Sequence, residues 1–257
     1  MYLGVDGCPD GWIAVAYDDH GYADSGLYSH IEDLYGKYGA EAETVLVDVP
    51  IGLRERSNAK RPCDVAARTL LSPDRHSSVF APPIRAAVHA DSYEEAKRIQ
   101  EEHTDGSLGV QAWGIADGIA QVDRFLRETR PGAVGVVREA HPEVAFWALA
   151  GEKATQYSKT GQPVAAFVER VDRLEMIDPD VLSHFRTAGR DMDAAVGVDD
   201  LVDAFALAVT ASPLTGDLRT LPGEKAGVDS GSSDEQCDPD DPGDPAGLPM
   251  EMVYARP

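Results

Sequence analysis

Leu3-Gly4-Val5-Asp6-Gly7-Cys8-Pro9-Asp10-Gly11-Trp12 runs from an apolar stretch through a carboxylate into a turn of glycine and proline, after which Trp12-Ile13-Ala14-Val15-Ala16 resumes extended structure. This reads as a hairpin with Asp6 at its mouth. In the interior of a sheet Asp6 is costly to bury unless a cation or hydrogen-bond donors meet it. Working outward, residues 21–28 read as a third antiparallel strand. Residues 31–38 read as a short helix, with Ile31, Leu34, Tyr35 and Tyr38 at helical spacing. Thr44-Val45-Leu46-Val47-Asp48-Val49-Pro50-Ile51-Gly52-Leu53 is a continuous β-branched run, the pattern of a buried central strand reached by a crossover. Asp48 stands at its carboxyl end, where open α/β sheets place their ligands; an isolated Asp there also reads as a turn cap.

Residues 54–110 break this rhythm and read as a partly helical insertion after the fourth strand. Between Arg54 and Arg85, seven bases face three acids, a basic island that points to phosphate or to internal salt bridges. Within it, Ser77-Ser78-Val79-Phe80-Ala81-Pro82-Pro83-Ile84-Arg85 reads as a loop. Residues 91–103 predict an exposed helix and residues 110–129 an amphipathic one. Ala133-Val134-Gly135-Val136-Val137-Arg138-Glu139 is another buried strand ending in an acid, followed by His141, a candidate acid/base or a structural turn residue. Residues 151–190 read as helical, with Lys159-Thr160-Gly161-Gln162 a loop able to supply a cation. Residues 198–211 form a strong helix of small apolar residues in which Asp200 and Asp203, three apart, share a face. Capping and the helix dipole explain Asp199 or Asp200 well but Asp203 poorly, because Asp203 lies among apolar neighbours. Residues 222–248 carry eight acids against one Lys among Gly, Pro and Ser, and read as an acidic flexible loop or tail; residues 249–257 contain a possible returning strand.

The chain of 257 residues, 43% hydrophobic, fits one sizeable domain over residues 1–221. Neither a signal-peptide pattern nor an apolar run near the roughly 18 residues of a membrane span is visible, so the sequence predicts a soluble cytoplasmic protein without a membrane partner. Cys8, Cys63 and Cys237 lack metal-ligand spacing and read as reduced thiols. The net charge is −22, with acids throughout and lysine scarce beside arginine, a balance that resembles proteins of salt-loving organisms. In concentrated salt the Debye length is about 3 Å or less, so such a charge does not exclude a nucleic-acid substrate. P-loop, G-x-S-x-G and dinucleotide fingerprints are absent.

Asp6, Asp48, Glu139, Asp200 and Asp203 therefore fall at the ends of an opening strand, two buried strands and a late helix. Clustered carboxylates cannot all stay ionised in one cleft unless a multivalent cation neutralises them. Oxygen-only ligation suits Mg²⁺ or Mn²⁺, and two such ions about 4 Å apart activate water and stabilise a leaving oxygen in phosphodiester cleavage. The order of elements resembles the RNase H-like fold: a mixed five-stranded sheet flanked by helices in the α/β class. Gly4-Val5-Asp6-Gly7-Cys8-Pro9, Asp48-Val49-Pro50-Ile51-Gly52-Leu53, Arg61-Pro62-Cys63-Asp64, Ser77-Ser78-Val79-Phe80-Ala81-Pro82-Pro83, Arg138-Glu139-Ala140-His141-Pro142-Glu143 and Asp199-Asp200-Leu201-Val202-Asp203-Ala204 are similar to motifs of the domain-of-unknown-function 429 family, often described as predicted RNase H-like nucleases.

The resemblance implies a divalent-metal-dependent phosphodiester hydrolase acting on nucleic acid. Asp6, Asp48 and Asp203 match the superfamily's metal-site acids, with Asp200 or Glu139 completing the second ion's shell and Arg61, Arg68 and Arg85 orienting phosphate. Gly7 and Gly11 then let the turn pack beside the metal or phosphate. An actin-like nucleotide-binding phosphotransfer enzyme and a catalytically inactive RNase H-like binding protein are the alternatives on the same fold.

Overall fold

The computed structural model describes residues 1–192, 196–223 and 243–257. Its opening hairpin is β1 (Tyr2–Cys8) and β2 (Gly11–Asp18), antiparallel, with Asp6 opposite Ile13 and Cys8 opposite Gly11. Gly11 has φ +135°, a conformation that a side chain resists, and a Cβ there would lie 2.2 Å from the carbonyl oxygen of Tyr28. Its missing side chain thus serves the hairpin itself. A Cβ on Gly7 would meet no protein atom within 4 Å, so that glycine is not required by packing within the protein. β3 (Gly21–Tyr28) pairs antiparallel with β2, α1 (Ile31–Tyr38) crosses over, and β4 (Thr44–Val47) lies parallel to β1 with Val47 beside Val5.

The region after β4 contains α2 (Pro62–Leu70), α3 (Arg85–Val88), α4 (Tyr93–His103), α5 (Val110–Gly114) and α6 (Ala116–Arg124). The single helix expected over residues 110–129 is broken at Ile115, where ψ rises to 3° after Gly114, and its end widens into a π turn over Phe125–Thr129. β5 (Val137–Glu139) then pairs parallel with β4. It is shorter than expected because Gly135, at φ +95°, turns the chain before the strand begins. The resulting order, β3-β2-β1-β4-β5, is antiparallel on one side and parallel on the other, a mixed five-stranded α/β sheet consistent with an RNase H-like fold. α7 (Pro142–Leu149), α8 (Pro163–Glu175), α9 (Val181–Asp191) and α10 (Val198–Ala211) follow, and β6 (Arg219–Leu221) pairs with β7 (Met252–Tyr254) in a separate ribbon.

Alternation along the strands sorts the side chains into two layers. Leu3, Val5, Trp12, Ala14, Val45 and Val47 face a core shared with α1 and α6. Ile13, Val15 and Leu46 face the opposite core, built on α7 and α10. The same parity puts Gly4 and Asp6 on the α10 side, and Asp48, one residue beyond Val47, joins them. Helix and strand meet without side chains between them: a Cβ on Gly4 would lie 2.1 Å from both the Ala204 carbonyl oxygen and the Ala208 nitrogen. Phe205, Leu207 and Val209 of the helix are fully buried, each contributing about 1.5–3 kcal/mol by leaving water. The first turns of α10 thereby lie over the carboxyl ends of β1 and β4.

Within the acidic segment of 222–248, residues 224–242 lie outside the described residues. The part that follows is packed rather than loose. Asp244 is buried and accepts hydrogen bonds from Leu53 N and the Arg85 guanidinium, while Leu248 joins the first core. Cys8 and Cys63 are free thiols, and Cys237 lies outside the described residues. Among the described residues, no helix is long and apolar enough to cross a membrane.

Candidate metal centre

Three carboxylates converge where β1, β4 and α10 meet. Asp6 is the last inward residue of β1, with its Oδ1 accepting from Gly7 N at 2.8 Å. Asp48 leaves β4 beside it, its own N–H bonded to the Val5 carbonyl at 3.0 Å. Asp203 comes down from α10. One oxygen from each of the three lies within 4.8 Å of the others. The Asp203 Oδ2 accepts from the Lys159 ammonium, whereas its Oδ1 is buried with no hydrogen-bond partner among the described residues. A carboxylate oxygen orphaned in this way calls for a cation or a donor. The donor set is oxygen only, which suits a hard divalent ion, so these residues fit Mg²⁺ or Mn²⁺.

The electrostatics agree with a site short of positive charge. Burial first, then the neighbouring Asp48 and Asp203, push the Asp6 carboxyl well above the ordinary carboxylate range. Burial raises Asp48 and Asp203 to about 7 each, although Lys159 pulls both down. Burial alone would lower the Lys159 ammonium, but Asp203, Asp6 and Asp48 outweigh it and hold it above its usual value. Lys159 is delivered by the irregular segment between α7 and α8, which is anchored where the Glu169 carboxylate accepts from Gln156 N and Tyr157 N at 2.8 and 3.0 Å.

Two cavities flank Asp48. The larger, about 750 Å³, is lined by Asp6, Asp48 and Asp200 together with the hairpin turn. The smaller, about 250 Å³, is lined by Asp48, Asp203, His141, Lys159 and Phe80 among others. The motifs that supply these walls fall within one recognised stretch: residues 4–226 match the family described as Protein of unknown function (DUF429). The chain belongs to the DUF429 family. No curated protein and no solved structure matches it.

In this DUF429 chain the remaining expected site residues stand differently. Asp200 is half-buried, and its Oδ2 caps α10 by accepting from Gly197 N at 3.0 Å. It borders the triad through the larger cavity rather than entering it. Glu139 is not one of the three acids that converge. Its oxygens accept from the two terminal nitrogens of Arg61 at 2.7 Å each and from Ile51 N at 2.6 Å. Asp64 takes the other edge of the same guanidinium at Nε, 2.9 Å. Cys63, Asp64 and Glu139 have metal-like spacing, but Arg61 already supplies their positive charge.

The three arginines expected to orient phosphate all have partners within the protein. Arg61 is 2% exposed, and Arg85, also buried, is held by Asp123 and Asp244. Both are consumed because carboxylates buried beside them need a partner. Arg68 donates to the Val79 carbonyl and so pins a loop.

His141 begins α7, its Nδ1 accepting from Glu143 N at 3.1 Å and its Nε2 lying 3.3 Å from the Ser78 carbonyl. Burial keeps it neutral by lowering its pKa. Glu143, inside the motif around His141 but not singled out by sequence, is buried and bound by Thr155 and Arg170. Burial would raise it, yet Arg170 and those hydrogen bonds hold it below its usual range, so it ties α7 to α8 as a charged strut.

Proposed function

We propose that this protein is a divalent-metal-dependent phosphodiester hydrolase acting on nucleic acid. The observation that carries the reading is the convergence of Asp6, Asp48 and Asp203, with one buried Asp203 oxygen left without a partner. Asp6, Asp48 and Asp203 would hold Mg²⁺ or Mn²⁺, and when bound the ion supplies the positive charge that activates water and steadies a leaving oxygen. Beside them, Lys159 keeps its proton and offers an ammonium to a phosphate oxygen next to Asp203. His141, whose Nδ1 accepts from the backbone, carries its proton on Nε2 in the wall of the smaller cavity.

The test is cleavage of a panel of DNA, RNA and hybrid substrates in molar salt with Mn²⁺ or Mg²⁺. Metal-dependent cleavage that disappears in Asp6→Asn supports the reading. Cleavage of nothing, or cleavage indifferent to Asp6→Asn, ends it.

A further inference from the structure

A nucleic-acid enzyme with net charge −22 has to draw affinity from somewhere other than its charge. Phosphate contacts by Lys and Arg weaken steeply as salt rises, Arg61 and Arg85 are buried in ion pairs, and Arg68 is engaged by the Val79 carbonyl. Base stacking is electrically neutral and survives salt. The smaller cavity offers such a contact. Phe80 lines it and is 37% exposed, an aromatic ring presented to solvent beside Asp48 and Asp203.

A lone exposed Phe is ordinary on a protein surface. This one is held out by a backbone fixed from within. Val79 is 2% exposed in a core cluster, its carbonyl is gripped by Arg68, and the Ser78 hydroxyl donates to the Arg75 carbonyl at 2.8 Å. The ring is therefore pre-positioned, and stacking on it costs little ordering of the loop. Ile115, at the break between α5 and α6, contributes a second apolar surface to the same cavity.

Size and charge select the occupant. A cavity of about 150 Å³ takes a benzene ring; one of about 250 Å³ has room for a single heterocyclic base and not for a base pair. Away from Lys159 and the carboxylate triad, Asp64 and Glu139 are spent on Arg61 and Glu143 on Arg170, so that part of the wall has no spare cation for a phosphate among the described residues, and a neutral base needs none.

We infer that the cavity beside the carboxylate cluster receives one unpaired nucleobase of the substrate, stacked on Phe80. The inference rests on the hydrolase reading for its ligand class and adds a specificity: single strands, or bases that leave the duplex, are bound in preference to intact duplex.

The experiment uses short DNA and RNA strands carrying one 2-aminopurine, single-stranded or annealed to a complement, titrated with the full chain in molar KCl with Ca²⁺. The wild-type protein should bind the single strands more tightly than the duplexes and quench the probe. Phe80→Ala should weaken single-strand binding by about 5- to 150-fold, the equivalent of about 1–3 kcal/mol per stacked base. Phe80→Trp should retain it, and unchanged thermal unfolding would show that both variants fold.

Equal affinity in Phe80→Ala, duplex bound as tightly as single strand, or absence of binding to any strand overturns the inference. Metal-dependent cleavage that persists with Phe80 irrelevant leaves the hydrolase reading standing alone. Phe80-dependent quenching without cleavage of any substrate leaves the base site and removes the hydrolase.

Discussion

Asp48 and Glu139 leave adjacent parallel strands and border the same cavity, yet the two buried acid groups around them are opposites. Glu139 and Asp64 enclose Arg61, and the set is closed: each carboxylate is paired with the guanidinium, with no polar side-chain atom among them orphaned. Among the described residues, Asp6, Asp48 and Asp203 have one lysine, which pairs with Asp203, and an Asp203 oxygen with no hydrogen-bond partner. The first group is architecture, tying the region after β4 to β5. In the second, more acid groups have been gathered than the fold pairs with cations, and that surplus makes it the candidate site.

The sharpest way to break the contrast is to open the closed group. Arg61→Met leaves Glu139 and Asp64 buried without a cation and should cost about 3–5 kcal/mol in denaturant unfolding. The open group should respond with the other sign. Asp6→Asn relieves like-charge repulsion, so the metal-free variant should melt above the wild type in a thermal scan. In the wild type, Mn²⁺ at about a hundred times its dissociation constant should add about 2.7 kcal/mol of stability, an increment absent from Asp6→Asn.

Acidity sharpens the difference further. Asp48 and Asp203 hold protons up to about pH 7 when folded but lose them near the ordinary value of 3.8 when unfolded. The folded state thus binds more protons across this window. The contribution of these two groups to the stability of the metal-free protein should be fully present below the lower value and lost as pH rises through about 7. Mn²⁺ affinity measured by calorimetry should move oppositely, tightening from about pH 6 to about pH 8 as binding no longer has to expel protons. The smallest effect belongs to Lys159→Met. Removing the resident ammonium should tighten Mn²⁺ binding, but by less than about tenfold, since a partly exposed pair contributes about 1 kcal/mol or less. It should also lower the metal-free melting temperature.

The placement of Asp6, Asp48 and Asp203 was legible because strand parity and a helical repeat are local properties: an acid at the end of an apolar run has few places to go. Glu139 carries the same local signature and misleads for a non-local reason. Arg61, dozens of residues earlier, folds back across the end of β5 and takes it. The basic island read as a possible anion surface for the same cause, since composition counts charges and cannot tell which are spent on one another. Asp244 shows the reverse: in an acid-rich stretch it looks like solvent-facing chain, yet it is buried against Arg85 and Leu53. Phe80 was visible only as part of a proline-rich loop, because the contacts on the backbone before it, from Arg68 of α2 and from His141 at the start of α7, are made only in the folded chain.

The contact at Gly4 has a consequence for how this centre can change over time. Because the strand touches the backbone of α10 at Ala204 and Ala208, the gauge between Asp6 and Asp203 is set by the thickness of two main chains rather than by the bulk of intervening side chains. Neighbouring core residues can drift in size and repack without widening that gauge. The tolerance of the carboxylate cluster is thus uncoupled from the ordinary turnover of the core, and rests on one position where nothing larger than hydrogen fits.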